Sequence, residues 1–446
     1  MVNRQHSILF SLGISQLVLM TFIASPGEDI SQGRESFLLG QNSDFLGVFA
    51  GVFYSLIPNS PFGWWVNLTA IQVFCVICAF QLELYQNKID KKRFAIYLLL
   101  QYLSLYFAAQ QSRDGTLFAF LCLAFSLLRI TFRVSKRRRI TICLSVFFFT
   151  LGLCFRPWMS IITLPLLLFT LNQNYIRKPF KVKSAIVLSL IIVFAPVSIE
   201  LGFSNSLETK KDYPLQTLII HDLVGTACWS SNLKTSESAL RALKVVSQNP
   251  DFESNICQFF KPNTWQAVTL EAGQSSLTQN YPPPIARTQS SAKYQELFRS
   301  WREIIVSDPR TYLQNKFMIL SQVFFASQTK VYGSRDLAGK EGLFEAFAKI
   351  LDILIFGLNL PWQIVTALYL LTPGAMLLSF FTLVPMVRSR IRHPVQFGII
   401  PIMALTLTIW GTVTFVSDNA RYLTPFVLLT LVSTFIGNLP AKGDNR

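Results

Sequence analysis

Long apolar runs recur along this chain, and short clusters of lysine and arginine separate them. A run of about 20 apolar residues is long enough, at about 1.5 Å per helical residue, to cross the ~30 Å hydrocarbon core of a bilayer. Lipid offers the backbone no hydrogen-bond partners, so a run buried there must be helical or part of a closed barrel. Runs of this length favour helices. Basic residues close to span ends mark the cytoplasmic side. The clusters at 88–93, 136–139, 177–183 and 388–392 therefore face inward. Spans are expected at 7–24, 64–84, 94–109, 116–132, 140–155, 159–171, 184–203, 363–387, 395–416 and 422–438. Ten spans leave both termini cytoplasmic, in keeping with Arg4 and the basic tail at 442–446.

Composition agrees. The chain of 446 residues is 51% hydrophobic and 14% charged, with a mean hydropathy of +0.41. These values exclude an ordinary soluble protein. The net charge of +16 resides in the loop clusters, so it reads as topology rather than as a nucleic-acid surface. The expected architecture is an all-α polytopic transmembrane bundle carrying a mainly helical extracytoplasmic domain. Residues 1–203 form an N-terminal bundle whose first outer loop is 25–63. Residues 204–361 form the outer domain, with charged helical segments at 238–246 and 294–306, and 362–446 supply the last spans. The plasma membrane is the expected location.

Three apolar stretches fall outside this count. Residues 44–58 are short, and spanning there would put the 88–93 cluster outside. A helix lying on the outer surface fits better, and the same holds for 345–360. Residues 312–326 enter the membrane only if 345–360 returns, which would add two spans. At the N-terminus, Ser25-Pro26-Gly27 after an apolar run superficially resembles a signal-peptide end. No clean small-x-small site is present, so a retained first span is expected. The connector Tyr281-Pro282-Pro283-Pro284 should be stiff and extended.

Cys75, Cys78, Cys122, Cys143 and Cys154 lie within apolar runs, where they act as small hydrophobes. No cysteine pattern points to a structural metal. Cys228 and Cys257 stand together in the outer domain. In an oxidising compartment they suggest a disulfide, with two buried free thiols as the alternative.

Mid-span positions carry almost no charge, and no internal repeat is visible, which argues against an ion-coupled transporter. Polar chemistry concentrates at the outer boundary. Arg113, Arg156 and Arg421 each occupy a tight outer hairpin, where topology disfavours positive charge. Guanidinium groups at headgroup depth suit bidentate binding of phosphate or pyrophosphate. Each could instead snorkel or pair, with Asp114 and Asp418 at hand. Glu28 and Asp29 follow the first span directly, with Asp44 farther on. Carboxylates there could act as a general base beside a lipid-linked substrate, or simply belong to a Pro-Gly turn.

Taken in order, several motifs resemble the GT-C class of membrane glycosyltransferases. They are Pro26-Gly27-Glu28-Asp29, the surface helix before the second span, Ser112-Arg113-Asp114-Gly115, Phe155-Arg156-Pro157 and Asn419-Ala420-Arg421-Tyr422-Leu423-Thr424-Pro425. His221-Asp222-Leu223, Trp301 and Asp308-Pro309-Arg310-Thr311-Tyr312-Leu313 resemble outer-domain elements of the same class. The chain departs from the class at Ser43-Asp44-Phe45-Leu46, where many members have an Asp-x-His-Pro element. The resemblance implies an inverting enzyme that takes sugar from a polyprenyl-phosphate donor to a glycan, lipid or protein hydroxyl. Asp29, with Glu28 or Asp44 as substitutes, would be the base. Arg421, Arg156 and Arg113 would hold the donor phosphate, and His221 would contact phosphate or acceptor. Divalent metal use varies across such enzymes. The competing readings are a surface-polysaccharide polymerase or ligase, and a lipid-linked saccharide transporter or non-catalytic scaffold.

Overall fold

The computed structural model describes most of residues 2–325, together with Leu429 and Val432. Within that range it leaves out 24–27, 41–46, 61–62, 88, 110–112, 132–137, 161–162, 165, 168–169, 171–181, 208, 210–212, 214, 248–255, 258–259, 261–268 and 271–284. Asp44, Arg421, the 281–284 connector, the 345–360 run, much of the 159–171 run and, apart from Leu429 and Val432, the three expected C-terminal spans thus lie outside the described residues.

The described chain is overwhelmingly helical. Helices α1 (Val2–Ile23), α2 (Glu28–Leu38), α3 (Val48–Ser55), α4 (Trp64–Gln86), α5 (Lys91–Ala109), α6 (Arg113–Thr131) and α7 (Arg138–Cys154) come first. A 3-10 turn (Pro157–Met159) and α8 (Val182–Ser206) follow. Three of these contain segments long and apolar enough to cross a membrane: Trp64–Tyr85, Arg113–Thr131 and Ile186–Ser206. A shorter apolar segment, Arg93–Leu105, lies in α5. The helices begin inside the basic clusters and at turn residues. Asp90 opens α5 by accepting the Arg93 backbone N–H at 2.8 Å, an N-cap bond. Gly63, at φ 107°, precedes α4 in a conformation that side chains rarely adopt.

Every residue of α6 is buried, and α6 packs against α4, α5 and α7. Gly152 permits the closest approach, since a Cβ there would lie 3.1 Å from Phe120 Cβ and 3.3 Å from the Leu117 carbonyl. Small residues commonly allow such contacts between helices in lipid, where packing replaces the hydrophobic effect. At the end of the bundle carrying the basic clusters, Glu83 of α4 forms a buried ion pair with Arg129 in the last turn of α6. Each charge thereby neutralises the other away from water.

The remaining described chain forms a second unit with its own core. It contains α9 (Leu215–Trp229), α10 (Leu233–Lys244), α11 (Ser291–Ser307) and α12 (Pro309–Phe325). A parallel pair of two-residue strands, β1 (Thr269–Leu270) and β2 (Ile285–Ala286), adds a small departure from an all-helical plan. Ile219, Leu223, Leu243, Leu297 and Ile304 are central to this core. Caps set its boundaries: Asn232 accepts from Lys234 N at 3.1 Å before α10, and Asp308 accepts from Thr311 N at 3.1 Å before α12. Pro309 takes the first helical position, where its missing N–H costs nothing. Cys228 and Cys257 are joined by a disulfide.

Candidate functional site

Arg113 and Asp114 form the first turn of α6, where a carboxylate complements the helix dipole. Arg156 follows the end of α7 and precedes Pro157, with a non-helical backbone at φ −149° and ψ 74°. Its Nε and Nη2 donate to the two oxygens of Asp114 at 3.0 and 3.3 Å. This bidentate pair joins the two hairpins and fixes the plane of the guanidinium. Of the two sequence readings for Arg156, phosphate ligand or paired arginine, the structure shows the pairing.

Helices α8 and α3 meet at the same end of the bundle. Glu200, near the end of α8, accepts the backbone N–H groups of Val48 at 2.7 Å and Phe49 at 3.1 Å. It thereby satisfies two of the orphan donors that open α3. Gly47, at φ 79°, passes close by: a Cβ there would lie 3.7 Å from Glu200 Oε1 and 4.0 Å from Arg113 Nη1. Farther along α3, the Tyr54 hydroxyl lies 3.3 Å from Thr116 Oγ1. The Thr116 hydroxyl lies 2.7 Å from the Gln72 amide oxygen, and the Gln72 nitrogen donates to the Ala108 carbonyl at 2.9 Å. Phe53 stands edge-on to Phe155 at 5.0 Å and Phe49 to Phe155 at 5.6 Å. An aromatic wall thus lines the joint between α3 and the Arg156 hairpin.

Helix α2 completes the assembly. A Cβ on Gly51 of α3 would come within 2.8 Å of the Gly33 carbonyl of α2, so the two backbones touch. Arg34 donates to the Tyr54 carbonyl at 3.2 Å and to Asn59 Oδ1 at 3.3 Å, and stacks 4.9 Å over the Trp64 ring. Glu28 and Asp29 open α2. The acidic pair expected in a loop is therefore helical backbone, in a first turn that favours negative charge.

The motifs of the second unit converge elsewhere. Asp222 accepts from Trp301 Nε1 at 3.1 Å and pairs with Lys316 Nζ at 2.6 Å. The side chains of Lys316 and Asp222 are 0% and 1% exposed. Burial pushes the Asp222 carboxyl above the usual carboxylate range, opposed by Lys316 and the Trp301 bond. The Thr311 backbone N–H, with Ser230, Thr311 and Arg310, holds the Asp308 carboxyl below that range. His221 is fully buried beside Phe260, with ring centres 5.1 Å apart. Among the described residues, no cluster of three His, Cys, Asp or Glu side chains is placed to hold a metal.

Sequence reasoning missed Lys316, Arg34, Tyr54 and the capping role of Glu200. Lys316 carried a signal: Thr311, Asn315 and Lys316 share a helical face at i, i+4 and i+5. No family model matches the chain, and comparison with curated proteins and with solved structures finds no match.

Proposed function

We propose that this is an inverting membrane glycosyltransferase that uses a polyprenyl-phosphate sugar at the extracytoplasmic face of the plasma membrane. In this reading ten spans leave both termini inside and 204–361 outside. The disulfide supports that placement, because such bonds persist in oxidising compartments. The observation that carries the reading is the continuous series of contacts from α2 through α3 to Glu200, Arg113, Asp114 and Arg156. It ties the helix bearing the expected base to the hairpins bearing the expected phosphate ligands.

Asp29 takes the proton from an acceptor hydroxyl, whose oxygen bonds to the anomeric carbon of the sugar. The bond from that carbon to the phosphate oxygen breaks, and polyprenyl phosphate leaves with the electron pair. Arg113 and Arg421 stabilise the charge that develops on the phosphate, the kind of electrostatic contribution that is usually largest. Asp114 positions Arg156 through their two-bond pair, so that its remaining donors have a fixed direction. A divalent ion is compatible with this scheme and no step needs one.

Asp29→Asn keeps the shape and removes the basicity, so transfer from a lipid-linked donor should fall roughly 10²- to 10⁴-fold while donor binding survives. Full transfer by Asp29→Asn, Glu28→Gln and Asp44→Asn alike would defeat the proposal. Flux of labelled substrate through proteoliposomes without sugar transfer would favour a transporter.

A further inference from the structure

Helix α12 is amphipathic in the reverse sense. A helix at the surface of a soluble domain turns its apolar stripe inward and its charges to water. In α12 the inward face is polar: Thr311, Asn315 and Lys316 are buried. Lys316 is neutralised by Asp222, and Asn315 is packed so tightly against α9 that a Cβ on Gly225 would lie 2.3 Å from its Nδ2. The outward face carries Leu313, 55% exposed, and Phe317, 69% exposed. Arg310 and Gln314 share that face, with Arg310 at its N-terminal end. Beyond Phe317 the sequence becomes still more apolar, with Ile319, Leu320, Val323, Phe324 and Phe325.

We infer that α12 enters the outer leaflet of the bilayer and anchors the second unit there. Its Arg310 end lies at headgroup depth, and Leu313 and Phe317 lie among the acyl chains. The order of residues fits a lipid boundary. A cation at the surface end can reach phosphate, and apolar side chains follow at successive turns. From Arg310 to Phe317 the helix rises roughly 10 Å, enough to pass from headgroup to hydrocarbon. Lys316 would be costly in lipid if it faced outward. The ion pair with Asp222 places it on the protein side and removes that cost. Water would leave two large side chains exposed for no gain, whereas lipid buries them.

The test uses the full chain reconstituted in phosphatidylcholine–phosphatidylglycerol vesicles. A photoreactive benzophenone side chain is placed, one site at a time, at Leu313, Phe317 or Arg299. Arg299 lies on α11, and its side chain is 82% exposed. All three sites are exposed, so folding is preserved. Irradiation should give lipid adducts at 313 and 317, more at 317, and few at 299. Cross-links from 313 and 317 to peptides of this same chain would show that protein covers the face, and would overturn the inference. Equal, low lipid labelling at all three sites would place the face in water and overturn it equally.

Discussion

Removing the Lys316 charge offers the sharpest test of how the second unit is held together. Nζ and Oδ1 of Asp222 are 2.6 Å apart. At an effective dielectric constant of ~20 this separation corresponds to a gross attraction of about 6 kcal/mol. Desolvation costs several kcal/mol per ion, so the pair as a whole contributes little net stability. Losing one partner is different. Lys316→Met leaves a buried carboxylate that keeps the Trp301 N–H but has lost its cation, and should destabilise the unit by about 3–5 kcal/mol. Asp222→Asn should cost a similar amount by stranding the ammonium. The double variant strands neither, so its loss should fall at least ~2 kcal/mol short of the sum of the singles. Acid should partly rescue Lys316→Met alone, because a protonated Asp222 tolerates burial. Pulse proteolysis of the full-length protein in detergent across a urea series gives all three values at each pH. Additivity within ~0.5 kcal/mol would refute the buried pair.

Three further outcomes are expected. Cys228→Ser should destabilise the second unit by ~3.5 kcal/mol in the chain-entropy model, given a sequence separation of 29. A thermal melt unchanged by the substitution would refute the bridge. Asp308→Ala removes the α12 cap and should cost about 1 kcal/mol at neutral pH. Because the folded carboxyl is depressed, that contribution is complete above the unfolded value near ~3.9 and disappears as pH falls through the lower folded value. Melts of wild type and variant should therefore converge in acid, and a gap that widened instead would contradict the bond set around Asp308. Asp114→Asn keeps a hydrogen bond to Arg156 and loses the charge. Transfer should drop by roughly 10-fold or more with Arg156 still in place, and unchanged transfer kinetics would show that Arg156 needs no positioning.

Elements set by short-range sequence were legible. Apart from 159–171, much of which lies outside the described residues, the expected spans from 7 to 203 lie on helices where they are described, because hydropathy and flanking charge are local properties. Three of these helices meet the length and hydropathy of a span within their described residues. Four of the helices begin two or three residues earlier than hydropathy suggested: α5 at Lys91, α6 at Arg113, α7 at Arg138 and α8 at Val182. Charged residues can occupy a first turn, whose amide groups have no partner within the helix, even though they end an apolar window. Partnerships across long separations were not legible. Glu83 with Arg129, Glu200 with α3, and Asp222 with Lys316 each depend on packing that no local pattern encodes. Asp222 and Trp301 were singled out as separate motif elements, and the structure joins them by one hydrogen bond. The pairing of Arg156 with Asp114 was visible as an alternative, since both hairpins and both charges could be read directly.

The cap that Glu200 places on α3 also fixes an order of events during synthesis. The helix and the carboxylate that completes it are separated by 152 residues. At ~5–20 residues per second, the ribosome needs roughly 8–30 s to deliver Glu200 after Val48. Throughout that interval the first amides of α3 lack the acceptor that caps them in the folded chain. Insertion of α8 then supplies the acceptor and draws α3 onto the bundle. The nascent chain therefore completes the start of α3 only after the C-terminal part of α8 has been made. A truncation before Glu200 should leave the start of α3 more open to protease than it is in the full chain.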